Sequence, residues 1–159
     1  MIHDVHIYTD GAAKGNPGPG GYGVVMEKVG SNYRKEFYEG FRLTTNNRME
    51  LLAVIVGLEK LIKPDTRVLV TSDSRYVVDA VQKRWVFGWE QKGFAGKKNP
   101  DLWMRFLKIY RKHQVDFFWI KGHNSHPQNE RCDQLAVMAC TMPKLSIDTY
   151  YEKEEAKLL

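Results

Sequence analysis

The run Met49-Glu50-Leu51-Leu52-Ala53-Val54-Ile55-Val56-Gly57-Leu58-Glu59-Lys60-Leu61-Ile62 is apolar nearly all round when wound at helical spacing. A helix without a broad polar face should be buried rather than lie on a surface. Pro64 stops it. Upstream, residues 3 to 10 alternate as a strand, and turn chemistry follows from Asp10-Gly11 through Gly15-Asn16-Pro17-Gly18-Pro19-Gly20-Gly21. Residues 22 to 29 and 33 to 42 read as two strands joined at Gly30-Ser31-Asn32, a hairpin. Downstream come a strand over 67 to 72, a helix from 75 to about 84 and a basic helix-and-loop excursion over 85 to 98. A helix over 100 to 112, a strand over 115 to 120 and a helix from Pro127 to about Thr141 complete the series. Three antiparallel strands followed by alternating helix and strand imply an α/β mixed sheet with helices on its faces.

The chain of 159 residues, 43% of them apolar, suits one domain able to bury its own core. No apolar run approaches the roughly 18 residues of a membrane span, and Met1-Ile2-His3-Asp4 lacks the basic then apolar pattern of a signal region. A cytosolic protein is expected. Cys132 and Cys140, eight residues apart on one predicted helix, are too distant to bridge and read as reduced thiols. The net charge of +5 is uneven: from Lys83 to Lys112 nine Lys or Arg face only Glu90 and Asp101. That basic stretch also holds Trp85, Phe87, Trp89, Phe94 and Trp103. Cations interleaved with aromatics suit a nucleic acid, although a solvated basic helix with its aromatics turned inward would look the same.

Four distant carboxylates fall where an apolar run ends or a helix begins. Asp10 closes Val5-His6-Ile7-Tyr8-Thr9, Asp73 closes Val68-Leu69-Val70-Thr71-Ser72, Glu50 follows Thr44-Thr45-Asn46-Asn47-Arg48-Met49, and Asp133 follows His123-Asn124-Ser125-His126-Pro127-Gln128-Asn129-Glu130-Arg131-Cys132. Strand and helix tips of an α/β domain converge on one crevice, where such acids can hold a hard divalent cation. Singly, each has a plain structural role: Asp10-Gly11 in a turn, Asn47 to Glu50 as a capping box, Asp73 as a helix cap, Asp133 as a solvated helical acid. Their joint placement favours a metal site. Gly18-Pro19-Gly20-Gly21-Tyr22-Gly23 matches G-x-G-x-x-G but leads into a strand pattern rather than a helix, so it is read as a close-approach turn beside Asp10. His123, His126 and Cys132 match no tetrahedral zinc spacing.

Five motifs in order, Tyr8-Thr9-Asp10-Gly11, Gly15-Asn16-Pro17-Gly18-Pro19-Gly20-Gly21-Tyr22-Gly23, Thr45-Asn46-Asn47-Arg48-Met49-Glu50-Leu51, Ser72-Asp73-Ser74 with Tyr76-Val77, and Lys121-Gly122-His123 running to Asn129-Glu130-Arg131-Cys132-Asp133, resemble bacterial ribonuclease HI over about residues 3 to 142. The resemblance implies a five-stranded mixed sheet, three strands antiparallel and then two parallel, with helices on both faces. It implies a catalytic domain over 1-143 with a basic handle at about 83-99, and a C-terminal tail over 144-159. The activity implied is endonucleolytic hydrolysis of the RNA strand of RNA/DNA hybrids, leaving 5′-phosphate and 3′-hydroxyl ends. Two Mg²⁺ ions, with Mn²⁺ able to substitute, would be held by Asp10, Glu50, Asp73 and Asp133, and His123 would assist proton movement or product release. A monomer is expected, and protein partners are left open.

By the same resemblance Glu50 and the glycine-rich turn lie near the 2′-hydroxyl, and Asn16, Asn46 and Asn47 enter the minor groove. Thr45 and Asn99 hold a DNA phosphate, Trp85 and Trp89 line the DNA channel, and Lys92, Lys97 and Lys98 supply the basic handle. The chain departs from the family's habit at Arg75, where an amide is common, at Ala12-Ala13, and at Glu90-Gln91 in the handle. Two other classes fit part of the pattern. A non-cleaving nucleic-acid-binding module would need the basic stretch without the acids, and a related carboxylate nuclease acting on DNA would need the acids without the handle.

Overall fold

The computed structural model describes residues 2–122 and 126–156. Strands β1 (Val5–Ala13), β2 (Gly18–Lys28) and β3 (Arg34–Thr44) form an antiparallel meander, followed by helix α1 (Asn46–Glu59). Then come β4 (Arg67–Ser72), α2 (Arg75–Gln82), α3 (Trp85–Gln91), α4 (Pro100–Tyr110), β5 (Gln114–Trp119) and α5 (Pro127–Cys140). A single π-helical turn at Tyr151–Glu155 ends the described chain. The sheet order is β3-β2-β1-β4-β5, with β4 parallel to both β1 and β5. This is the five-stranded mixed sheet expected. None of the described helices is long and apolar enough to cross a membrane.

Side-chain alternation sends Ile7 and Val24 to one face of the sheet and Tyr8 and Val25 to the other. On the first face α1 is buried along Arg48 to Leu58, sandwiched between the sheet and α4, as a helix apolar all round requires. The core continues through Trp103, Phe106 and Leu107 of α4. The second face is covered by α5 through Cys132 and Leu135. Both cysteines are free and buried.

Two boundaries depart from the sequence reading. The turn expected from Asp10-Gly11 to Gly21 is only four residues long, because β1 runs on to Ala13 and pairs Gly11 with Tyr22 and Ala13 with Gly20. Gly15 lies in that turn at φ 78°, whereas Gly11 and Gly21 are strand positions over which α1 and α5 lie. A Cβ on Gly23 would stand 2.3 Å from the Cys132 carbonyl oxygen, and one on Gly40 would stand 2.0 Å from that of Ala139. Small residues there make the bed that lets α5 settle onto β2 and β3. The buried helix, expected over 49 to 62, spans Asn46–Glu59 instead. Its cap is Thr45, whose hydroxyl accepts from the Arg48 N–H at 3.2 Å, in place of the box read at Asn47 to Glu50. The helix ends before the residues that precede Pro64, leaving Ile62 93% exposed.

The C-terminal segment, whose state the sequence left open, is docked. Ser146 bridges Phe41 as a short parallel addition to the β3 edge, donating to the Gly40 carbonyl at 2.8 Å and accepting from the Arg42 N–H at 3.0 Å. Tyr151 is buried, and Arg42 forks onto the Glu152 carboxylate.

Candidate active site

Asp10 lies on the central strand and points to the α5 face, since its cross-strand partner Gly23 lies under Cys132. The Gly11 N–H donates to Asp10 Oδ1 at 2.9 Å and holds the carboxylate at the strand. The absent side chain of Gly11 brings the second acid in. A Cβ there would fall 2.4 Å from the Glu50 nitrogen, so only glycine lets α1 rest its backbone on β1 and present Glu50 beside Asp10. The third acid follows from register. Tyr8 stands beside Thr71 in the parallel β1/β4 pair, so Asp73 comes level with Asp10 two residues later.

Asp73 sits in a tight link between β4 and α2. The Ser72 hydroxyl accepts from the Ser74 N–H at 3.0 Å, Ser74 caps α2 by accepting from the Val77 N–H at 3.2 Å, and the Trp119 indole N–H donates to the Asp73 carbonyl at 3.0 Å. Gly122 backs onto the carboxylate, with room for a Cβ only 3.0 Å from Asp73 Oδ2. Ligand oxygens of Asp10, Glu50 and Asp73 all lie within 4.8 Å of one another. Asp133, carried in by α5, lies near enough to Asp10 to help raise its carboxyl above the ordinary range. The four acids therefore meet, three as a tight cluster and the fourth against Asp10.

Like charges at this spacing in a buried setting resist ionisation. Burial, followed by the charge of Asp73 and then contacts with Asp133, pushes the Asp10 carboxyl up to about 8, against the opposing pull of the Gly11 N–H. Glu50 is pushed well above the ordinary carboxylate range by burial first and then by Asp10 and Asp73, opposed by Gly11 and the Asn46 side chain. Glu50 Oε2 is buried without a hydrogen-bond partner among the described residues. A polar oxygen left unserved in such a place costs stability unless something else occupies the site. Oxygen-only donors and an orphaned carboxylate fit a hard divalent cation, and the described residues bring no other group of acids, histidines and cysteines together at such spacing. His126 accepts the Asn129 N–H as the cap of α5, and Cys132 is sealed in the apolar cluster with Tyr8, Val25 and Leu135. His123 lies outside the described residues.

The other expected contact residues divide by environment. Asn16, exposed in the β1–β2 turn, accepts the Asn46 N–H at 3.1 Å and ties that turn to the start of α1. Asn47 is exposed beside it, and Thr45 caps the same helix. All four share the end of the sheet that carries Glu50. Asn99 is buried, its Oδ1 accepting from Arg48 at 3.2 Å and its amide donating to the Tyr76 hydroxyl at 2.9 Å. The two tryptophans separate. Trp85 is 48% exposed with Lys83 over its ring, whereas Trp89 packs edge-on against Trp103 at 5.7 Å with Lys97 on its ring. Lys92, Lys97 and Lys98 are exposed.

The RNase H family model matches residues 3–141. The chain belongs to the RNase H family. Ribonuclease H of Desulforamulus reducens is 55% identical over 152 residues, covering 92% of this chain and 94% of that protein. Ribonuclease HI of Shewanella oneidensis is 50% identical over 155 residues, covering 94% and 96%. Among solved structures, LC11-RNase H1 in complex with an RNA/DNA hybrid superposes with a TM-score of 0.63 at 31% identity, over 86% of this chain and 96% of the other.

This RNase H also contains a charged cluster that sequence patterns did not single out. Arg48, 2% exposed within α1, donates from Nε and Nη2 to Asp148 at 2.7 and 2.9 Å and from Nη1 and Nη2 to Asp101 at 2.9 and 2.7 Å. Thr44 adds a hydroxyl donor to Asp148 at 2.7 Å. Arg48, the one basic residue of a helix that is apolar from Leu51 to Leu58, is the signal the sequence offers.

Proposed function

We propose that this RNase H hydrolyses the RNA strand of RNA/DNA hybrids with two Mg²⁺ ions, for which Mn²⁺ can substitute. The observation that carries the reading is the convergence of Asp10, Glu50 and Asp73 oxygens within 4.8 Å, two of the three residues buried. Asp10, Glu50, Asp73 and Asp133 would hold the cations. Bound there, divalent ions supply activation of a water and stabilisation of the departing 3′ oxygen. Water adds to phosphorus as the bond to the 3′ oxygen breaks, leaving a 3′-hydroxyl and a 5′-phosphate.

The chain's own groups select and orient the substrate. Glu50 and Asn46, already in contact with each other, face the strand whose 2′-hydroxyl marks it as RNA. Asn16 and Asn47 read the minor groove, where an amide both donates and accepts without demanding one sequence. Thr45 and Asn99 position a DNA phosphate, Trp85 and Trp89 line the DNA channel, and Lys92, Lys97 and Lys98 supply counter-charge. His123 assists proton movement or product departure. Residues 1-143 form the catalytic unit and 144-159 the C-terminal tail, of which Ser146 and Glu152 brace the β3 edge. The enzyme acts in the cytosol as a monomer.

Incubating the protein with labelled RNA/DNA hybrid, double-stranded DNA and double-stranded RNA, with Mg²⁺ or a chelator, tests this directly. Metal-dependent nicking of only the RNA strand of the hybrid is expected. Cutting of double-stranded DNA would assign the site to a DNA nuclease, and binding without cutting would leave a binding module.

A further inference from the structure

We propose that Arg75, held over the ring of Trp119, is a phosphate clamp on the strand being cut, placed two residues beyond Asp73. The inference rests on the hybrid-cleaving reading and adds to it a contact that depends on this chain's own arginine. Trp119, at the end of β5, is anchored by its indole N–H on the Asp73 carbonyl, so its ring is fixed relative to the acid cluster. The Arg75 guanidinium lies over that ring with its carbon 3.9 Å from the centroid, the approach that a stacked guanidinium makes. Stacking uses the flat faces of a guanidinium and leaves its in-plane N–H edges directed outward, the geometry that grips a phosphate with two hydrogen bonds.

Those edges are poorly used within the protein. Among the described residues the one ion-pair partner of Arg75 is Asp79, at 3.9 Å and one helical turn away, and the side chain is 63% exposed. Arg75 is also the first residue of α2, where a cation opposes the helix dipole and no acid in the first turn offsets it. A side chain that works against its own helix, is stacked into one orientation and lacks a strong partner is arranged for an external anion. The neighbouring Asp73 fixes which anion: the backbone of the strand that lies on the acids, one linkage from the reacting phosphate or at it.

The test measures hybrid binding in Mg²⁺ with Asp10→Asn, which prevents turnover, with and without Arg75→Gln, across a salt series. A lost phosphate contact lowers the log-log salt slope by roughly 0.7 to 0.9 and weakens binding several-fold at low salt. In parallel, hybrids carrying a single uncharged linkage, walked along the RNA strand, should show one position where neutralisation weakens Asp10→Asn but not Asp10→Asn/Arg75→Gln. An unchanged slope, or a slope change that no single linkage reproduces, overturns the clamp. The parent chain's failure to cut hybrid would instead overturn the reading beneath it while leaving the binding comparison interpretable.

Discussion

Two clusters of buried charge are built on the same turn of α1, two residues apart, and they are opposites. Around Arg48, one guanidinium meets Asp148 and Asp101, and its donors are matched to carboxylate oxygens at 2.7 to 2.9 Å. Around Glu50, three carboxylates crowd within 4.8 Å of one another, and Glu50 Oε2 is buried with no hydrogen-bond partner among the described residues. The first cluster pairs opposite charges within the protein and ties together α1, α4 and the C-terminal segment. The second gathers like charges, and burial and mutual repulsion hold Asp10 and Glu50 above the ordinary carboxylate range. Within a few ångströms of backbone the fold thus separates a group that holds structure from a group held ready for chemistry.

Breaking the compensated cluster should have the largest effect on folding. Arg48→Ala leaves Asp148 buried without its partner, and loss of one member of such a pair costs about 3 to 5 kcal/mol. Urea denaturation should show the midpoint falling steeply, and a change within the range of an exposed ion pair would mean that the cluster is wetter than its 2% exposure implies. Arg42→Ala sharpens the contrast from the other side. It removes a solvent-facing fork to Glu152 on the same C-terminal segment and should leave the midpoint nearly unchanged. A large loss there would shift the anchoring role from Asp148 to the segment's surface contacts.

The contrast also explains which features were legible in the amino-acid sequence. Asp10 and Asp73 stood out because each ends a strand pattern, Glu50 and Asp133 because each lies in a helix pattern that follows a polar stretch, and the parallel register of β1 and β4 then carries Asp10 level with Asp73. The buried helix was visible because its periodicity is likewise local. Its ends were not, because the Thr45 hydroxyl competes with later capping residues and only the folded backbone decides between them. The continuation of β1 through Gly11 was hidden because glycine before a proline-rich turn reads as turn, and what makes it strand is the backbone of α1 lying against it. The Arg48 cluster joins residues 53 and 100 positions apart, a distance no periodicity spans. Trp85 and Trp89 looked equivalent at one helical turn's spacing until Trp103 claimed one of them.

The central claim, that the acid cluster is kept at a cost which divalent cations offset, is tested most directly by unfolding free energies of the protein and Asp10→Asn from pH 5.5 to 9, each with chelator and with Mg²⁺. Asp10 titrates near 8 in the fold against an ordinary 3.8, so its stabilising proton is fully kept below the lower value and lost as pH rises through the upper. Metal-free protein should therefore lose stability between about pH 5 and 8.5. Asp10→Asn should lose less, ending on the order of 2 kcal/mol more stable at the alkaline end. Mg²⁺ should close that gap by stabilising the parent increasingly as pH rises, and Asp10→Asn should gain much less from it. A metal-free Asp10→Asn that is no more stable than the parent at pH 8.5, with the same response to Mg²⁺, would contradict the account.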